Sequence, residues 1–254
     1  MLTLTQNVLI LVFVMLASLL LLVGLNRIWP VQTRHSEGDL IGWQLSVLGT
    51  TYAVVLGFML YTAWTNFGAA ELNVNLEANA PRNMFRLAEG LPAPQREQLE
   101  AQARAYANAI VTQDWPMMAR GQMPEGSHEI NEQMWRTLMS VKAASSSESA
   151  AADHALSELS TLTAHRRTRL LQSVSKLPAI LWGVLLAGGT LTLISASLFG
   201  SAKPRVHAFM GFSTTLLVTL VMLAIADVSQ PFRGWVHVSD YPSVRAQEYM
   251  RALD

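Results

Sequence analysis

The feature that most confines this chain is a run of eighteen residues, 8–25, reading VLILVFVMLASLLLLVGL without a charge. A bilayer core about 30 Å thick is crossed by roughly 20 apolar residues in helical form, so the run reads as a membrane span. Three more follow, at residues 41–64, 177–199 and 206–226, again without Asp, Glu, Lys or Arg. A core helix of a soluble protein is rarely apolar all round at this length, and four would leave little polar surface. Composition agrees: hydrophobic residues make up 51% and charged residues 14% of the chain, against about 25% charged in globular domains. Lipid bilayer is therefore the first partner expected.

The formal net charge is zero and cysteine is absent. No basic field exists to gather nucleic acid, and there is no disulfide, thiolate metal site or cysteine nucleophile. The leader MLTLTQN lacks a positive charge, and no small-x-small site closes the first apolar run, so a retained span is expected rather than a signal peptide. Trp29, Trp43, Trp64, Trp182 and Trp235 fall near span ends, where an amphipathic ring is most comfortable. Gly183 with Ala187, and Ala196 with Gly200, have the spacing that lets helices approach in lipid or simply reflects common membrane residues. Basic residues on the two sides of the spans nearly balance, which leaves orientation open.

The fold class expected is all-α: four transmembrane helices in two pairs, with a helical extramembrane domain inserted between spans two and three. Residues 1–65 hold the first pair, 66–176 the domain, 177–228 the second pair and 229–254 a C-terminal tail. Within the domain, span two runs on as a helix bearing Trp64, Phe67, Glu71, Val74 and Ala78 on one stripe. Pro81 interrupts or kinks it, for want of an N–H and by its clash with the preceding turn. A helix over 95–114 opens after Pro92 and Pro94 and ends at Trp115-Pro116. Another covers 128–141, residues 143–152 (AASSSESAAA) form a flexible link, and a last helix starts near Asp153. Pro178 marks its entry into the membrane.

Four charges stand at similar heights above the spans. Glu71 and Glu77 follow span two by about seven and thirteen residues, and Arg169 and Arg166 precede span three by about eight and eleven. At about 1.5 Å per residue, Glu71 meets Arg169 and Glu77 meets Arg166. The planar guanidinium fork suits a carboxylate, so these pairs are expected to clamp the two membrane-exit helices. The competing reading is four solvated charges, worth at most about 1 kcal/mol per pair. Asp227, at the end of span four, either lines an ion path or marks the water boundary, and the boundary is the favoured reading. Ser173-x-x-Lys176 lacks the companion motifs that give this pattern catalytic meaning, and the six histidines show no metal-ligand spacing. Neither an enzyme nor a cofactor is expected.

Several motifs occur together in order: NLEANA at 75–80, DWP at 114–116, RRTRL at 166–170, LPAILW at 177–182 and PFRG at 231–234. With Trp115, Pro178, Trp182, Pro231, Phe232 and Gly234 as their characteristic residues, they resemble the bestrophin-like family of bacterial membrane proteins over residues 42–238. The family usually has leucine where Pro81 stands, glutamate for Asp114, and Asp-Arg for Ser229-Gln230. The resemblance implies a multi-pass inner-membrane subunit. Through the distant likeness to bestrophins it also implies a homo-oligomeric ring around a pore for a small anion, with termini and domain in the cytoplasm. Spans two and four are then the pore-wall candidates, the fourth carrying Ser213, Thr214, Thr215 and Thr219. Val54, Leu56 and Phe58 are the candidate hydrophobic constriction. The alternative is a non-conducting scaffold or signalling subunit whose domain docks a partner, favoured by the absence of charge within the spans.

Overall fold

A computed structural model describes residues 4–30, 34, 37–199 and 203–253. Among them the secondary structure is helical, with no strand. We number the α-helices α1 (Leu4–Ile28), α2 (Gly38–Leu87), α3 (Ala93–Ala109), α4 (Trp115–Arg120), α5 (His128–Met139), α6 (Ser146–Val174), α7 (Ala179–Leu198), α8 (Pro204–Val228) and α9 (Tyr241–Arg251). Helices α1, α2, α7 and α8 are each long and apolar enough to cross a membrane, and they contain the four uncharged runs apart from the flanking Leu177, Pro178 and Phe199. The chain divides into two compact units. One takes Leu2–Thr65 and Lys176–Ser229, and the other Asn66–Ser175 and Gln230–Asp254.

In the membrane unit, α1 packs along α8 and touches α7, while α7 packs on α8. The first half of α2 contributes Tyr52 and Leu56 to a core with Leu185 of α7 and Val218 and Ile225 of α8. Lipid gives little hydrophobic drive for helix association, so close contact and hydrogen bonding must supply it. Tyr52 provides both: its hydroxyl donates to the Leu185 carbonyl at 2.9 Å, and its ring lies against Gly188 and Gly189, where an added Cβ would come within 2.6 Å and 2.9 Å. The close approach is thus at Gly188 and Gly189, whereas Gly183 has open space around it; Gly200 lies outside the described residues. The Trp43 and Trp64 rings are exposed, but Trp182 is half-buried against the Tyr52 core.

In the other unit, α3 lies against α5 and α9, and α5 against α6. The core joins Met84 and Phe85 of α2, Leu99, Tyr106 and Ile110, Met134 and Leu138 of α5, Leu159 and Leu162 of α6, and Met250 of α9. Four expectations need correction. Helix α2 is not interrupted at Pro81 but continues to Leu87, although buried Pro81 offers no N–H to the preceding turn. The α3 segment does not stop at Trp115-Pro116: residues Ile110–Asp114 form a π-turn and the chain stays helical to Arg120. The serine-rich stretch is not a link, since α6 begins at Ser146. Ser145 Oγ accepts from Glu148 N at 3.1 Å, and Glu148 Oε2 reaches back to Ala144 N at 2.7 Å, a variant of the reciprocal capping box. Finally, the expected tail carries α9, whose Gln247 amide donates to the Ala107 carbonyl at 2.8 Å while Arg82 lies 4.4 Å over the Tyr249 ring.

Gly188→Ala should cost roughly 1–3 kcal/mol through overpacking against Tyr52, read as a lowered thermal midpoint in detergent. In a Tyr52→Ala background the same change should be nearly neutral; equal losses in both backgrounds would refute the contact.

Candidate functional site

Three of the buried charges among the described residues, Arg169, Asp114 and Glu77, meet in one network, while a fourth, Arg34, is buried in the unit of the apolar helices. Arg169 of α6 is 0% exposed, Asp114 of the π-turn 0% and Glu77 of α2 1%. The Arg169 guanidinium grips Glu77 with two donors, Nε to Oε2 at 2.7 Å and Nη2 to Oε1 at 3.1 Å. Its Nη2 also donates to Asp114 Oδ2 at 2.8 Å, and Nη1 reaches Met118 Sδ at 3.4 Å. Tyr106 Oη donates to Glu77 Oε1 at 2.7 Å. Ser127, the residue capping α5, gives Asp114 both its backbone N–H, at 3.2 Å, and its hydroxyl, at 2.6 Å. Half-buried Arg166 donates from Nε to Ser127 Oγ at 3.0 Å, bringing a second positive charge to balance two carboxylates.

Local backbone irregularities aim these groups. Trp115 N–H bonds the Ile110 carbonyl, five residues back, and Pro116 has no N–H for the Thr112 carbonyl. The wider turn re-aims Asp114 relative to a regular helix, a common use of π-bulges. Gly126 lets the next residue come close: a Cβ there would lie 2.5 Å from Gln113 Oε1 and 3.1 Å from Asp114 Oδ1. Gly121 ends α4 at φ +76° with the Arg233 guanidinium against it. The segment after α8 folds on the same region: Phe232 is buried edge-on to Trp115, with ring centroids 5.6 Å apart, and Gly234 turns the chain at φ +95°. Val238 N donates to the Pro231 carbonyl at 2.7 Å.

Burial alone would lower the Arg169 pKa, but Glu77, Tyr106 and Asp114 outweigh it, so the guanidinium is held charged. Burial and then the Glu77 charge lift the Tyr106 phenol well above its ordinary value of 10.0, against the opposing pull of Arg169. Every carboxylate oxygen of Glu77 and Asp114 accepts at least one hydrogen bond. Such an arrangement positions helices; it offers no free base. Among the described residues no group of three or more His, Asp or Glu could hold a metal, and the Ser173 hydroxyl is spent on the Leu170 carbonyl at 2.8 Å.

The expected pairing was out of register. Arg169 takes Glu77, not Glu71; Glu71 is exposed, and Arg166 meets Ser127 instead of Glu77. Matching heights presume antiparallel helices, in which residue numbers rise on one as they fall on the other. That holds here, since Asn73 bonds the His165 carbonyl while further along an added Cβ at Gly90 would lie 2.7 Å from Ala151; the offset of Glu77 from Arg169 reflects instead the reach of their two long side chains. Tyr106, Asp114 and Ser127 escaped the sequence reading as site residues. The signals were a tyrosine on an apolar face, whose hydroxyl needs a partner when buried, and a proline inside a continuing helical pattern.

The constriction expected of Val54, Leu56 and Phe58 is also divided. Val54 and Phe58 are 53% and 66% exposed, but Leu56 is 8% exposed and belongs to the membrane core, because at 100° per residue it lies about 200° around the helix from each. On α8, Thr215 and Thr219 are buried, Thr215 bonding Ser18 at 2.8 Å, which leaves Ser213 as the exposed hydroxyl residue of that group. Pro178 caps α7, with its carbonyl accepting from Leu181 N at 3.0 Å.

Compared with known proteins, residues 12–243 match the bestrophin-like domain. No curated protein matches the sequence. The crystal structure of a membrane protein point variant is similar with a TM-score of 0.70 at 12% identity, over 98% of this chain and 99% of that one. A variant of a bacterial bestrophin homologue from Klebsiella pneumoniae gives a TM-score of 0.67 at 12% identity, over 96% and 98%. Another variant of that homologue gives 0.64 at 12% identity, over 96% and 97%. At these identities the likeness is one of fold.

Arg169→Gln should cost about 3–5 kcal/mol by stranding two buried carboxylates, whereas Glu71→Gln should stay within about 0.5 kcal/mol; thermal midpoints in detergent separate them. Tyr106 keeps in the fold a proton that the unfolded chain loses above pH 10, so its contribution is intact below that pH and falls as pH rises towards the raised folded value. Tyr106→Phe should therefore lower stability near neutrality and flatten its alkaline decline, read from denaturation midpoints between about pH 9 and pH 11.

Proposed function

The chain belongs to the bestrophin-like family, and from that premise we propose that it is one subunit of a homo-oligomeric ion channel of the inner membrane, with α2 as the pore wall and a small anion as the permeant species. Four membrane spans then carry a helical domain between the second and third. The observation that carries this reading is the outer face of α2. At 100° per residue, Val47, Thr51, Val54, Phe58 and Thr65 fall within a sector of roughly 60°, and all are exposed in the single chain, while Tyr52, Leu56 and Ala63 pack inward.

That strip is uncharged. A narrow ring of Val54 and Phe58 side chains, one from each subunit, suits a barrier that closes by dewetting rather than by charge. The Arg169 network fits the same reading, since a pore helix that continues into the extramembrane unit needs its far half held firmly, and Glu77 is where α2 is gripped. Fold-level likeness raises the expectation of conduction without supplying it, so the test is functional.

Protein reconstituted in liposomes should pass chloride. Phe58→Ala should raise the flux several-fold by widening the barrier, while Leu56→Ala should lower stability without that gain. Absence of chloride flux at any voltage, with or without calcium, from protein shown to be oligomeric would overturn the channel and leave the scaffold reading.

A further inference from the structure

Helices α1 and α8 run antiparallel. Ser18 Oγ and Thr215 Oγ1 are 2.8 Å apart, and Leu22 packs against Gly211, where a Cβ would lie 3.3 Å from it; residue numbers fall on α8 as they rise on α1. Beside this seam is a groove of about 360 Å³, lined by Leu11, Met15, Leu19 and Leu22 on one wall and Ala208 and Phe212 on the other. The polar groups at its floor, Ser18 and Thr215, already bond each other. From Leu11 to Leu22 the groove runs roughly 17 Å at 1.5 Å per residue, about half the thickness of the hydrocarbon core. That is the reach of an acyl chain within one leaflet.

The same register, carried five residues further, sets Arg27 level with Val206 and next to Arg205. Both arginines are exposed, as is Lys203. This end of the helices and their short connections carries Arg27, Arg34, Lys203 and Arg205 against Glu37 and Asp39. Arg34 is turned inward, donating to the Ser197 and Leu198 carbonyls at 3.0 Å and 3.3 Å and to Asn26. Asp39 sits in the first turn of α2, where it suits that helix's positive end. Arg27 and Arg205 therefore stand at the mouth of an apolar groove, at headgroup level.

We propose that α1 and α8 form a binding site for an anionic glycerophospholipid, with one acyl chain in the groove and the phosphate against Arg27 and Arg205. A neutral lipid fills the groove equally well; the two guanidinium groups select the headgroup, as basic positions at membrane-helix ends do. Bidentate phosphate recognition is what arginine does better than lysine.

Native mass spectrometry of the detergent-purified chain, titrated with dioleoylphosphatidylglycerol and separately with dioleoylphosphatidylcholine, tests the site. The glycerol lipid should bind about tenfold or more tightly, the scale expected of two basic residues near a membrane surface. The R27Q/R205Q variant should erase that preference, and Ala208→Phe should weaken both lipids by filling the groove. Both glutamines replace exposed side chains, so the double variant keeps the test open should the groove variant misfold. Equal binding of the two lipids, or a preference that survives R27Q/R205Q, would overturn the proposal. So would glycerol phosphate binding as tightly as the whole lipid, which marks a free-anion site, or loss of all bound lipid on oligomer formation, which marks a subunit contact.

Discussion

Taking a guanidinium out of water costs several kcal/mol unless its charge and its donors are met, and Arg169 is wholly out of water. The unit of residues 66–175 and 230–254 is arranged around meeting that demand. Glu77 comes from α2, Asp114 from the π-turn, Tyr106 from α3 and Ser127 from the head of α5. Because the partners arise on four separate elements, none of these elements can shift without exposing a defect on the others. The apolar core of Met84, Leu99, Tyr106 and Leu159 supplies bulk attraction with little directional preference. Charge pairing supplies the direction.

The membrane unit solves the opposite problem. There, apolar surface is welcome on the outside, and specificity comes from where backbones can touch. Glycines at 188 and 189 admit the Tyr52 ring, and one hydroxyl finds one carbonyl. The Ser18–Thr215 bond plays a similar part between α1 and α8. Both contacts place polar atoms where lipid would leave them unsatisfied, so an alternative packing of these helices carries a cost that simple apolar surfaces would not impose.

How much was legible in advance follows from the range of each force. The four spans depend on the apolar character of some twenty neighbouring residues, a local property, and all four were readable in the sequence. That Glu77 and Arg169 could lie on facing helices was also readable, but their pairing was not, since it depends on how far each long side chain reaches along α2 and α6, which backbone heights do not encode. Leu56 was grouped with Val54 and Phe58 on hydrophobicity alone, although helical period puts it on the other side. The start of α6 was missed because serine-rich composition suggested a link, while Ser145 and Glu148 spelled a cap. Asp114 needed the π-turn, for which Pro116 was a hint without a geometry. The motif residues Trp115 and Phe232 proved to be neighbours in space, something their separation in the chain conceals.

The π-turn has a consequence for how sequences of this fold are compared. A turn closed over five residues holds one position more than an ordinary helical turn, so a protein that kept α3 and α4 regular would be one residue shorter here while matching on both sides. Its acid could not then reach the guanidinium from the same column. An alignment that forbids gaps inside helices would pair Asp114 with the wrong neighbour.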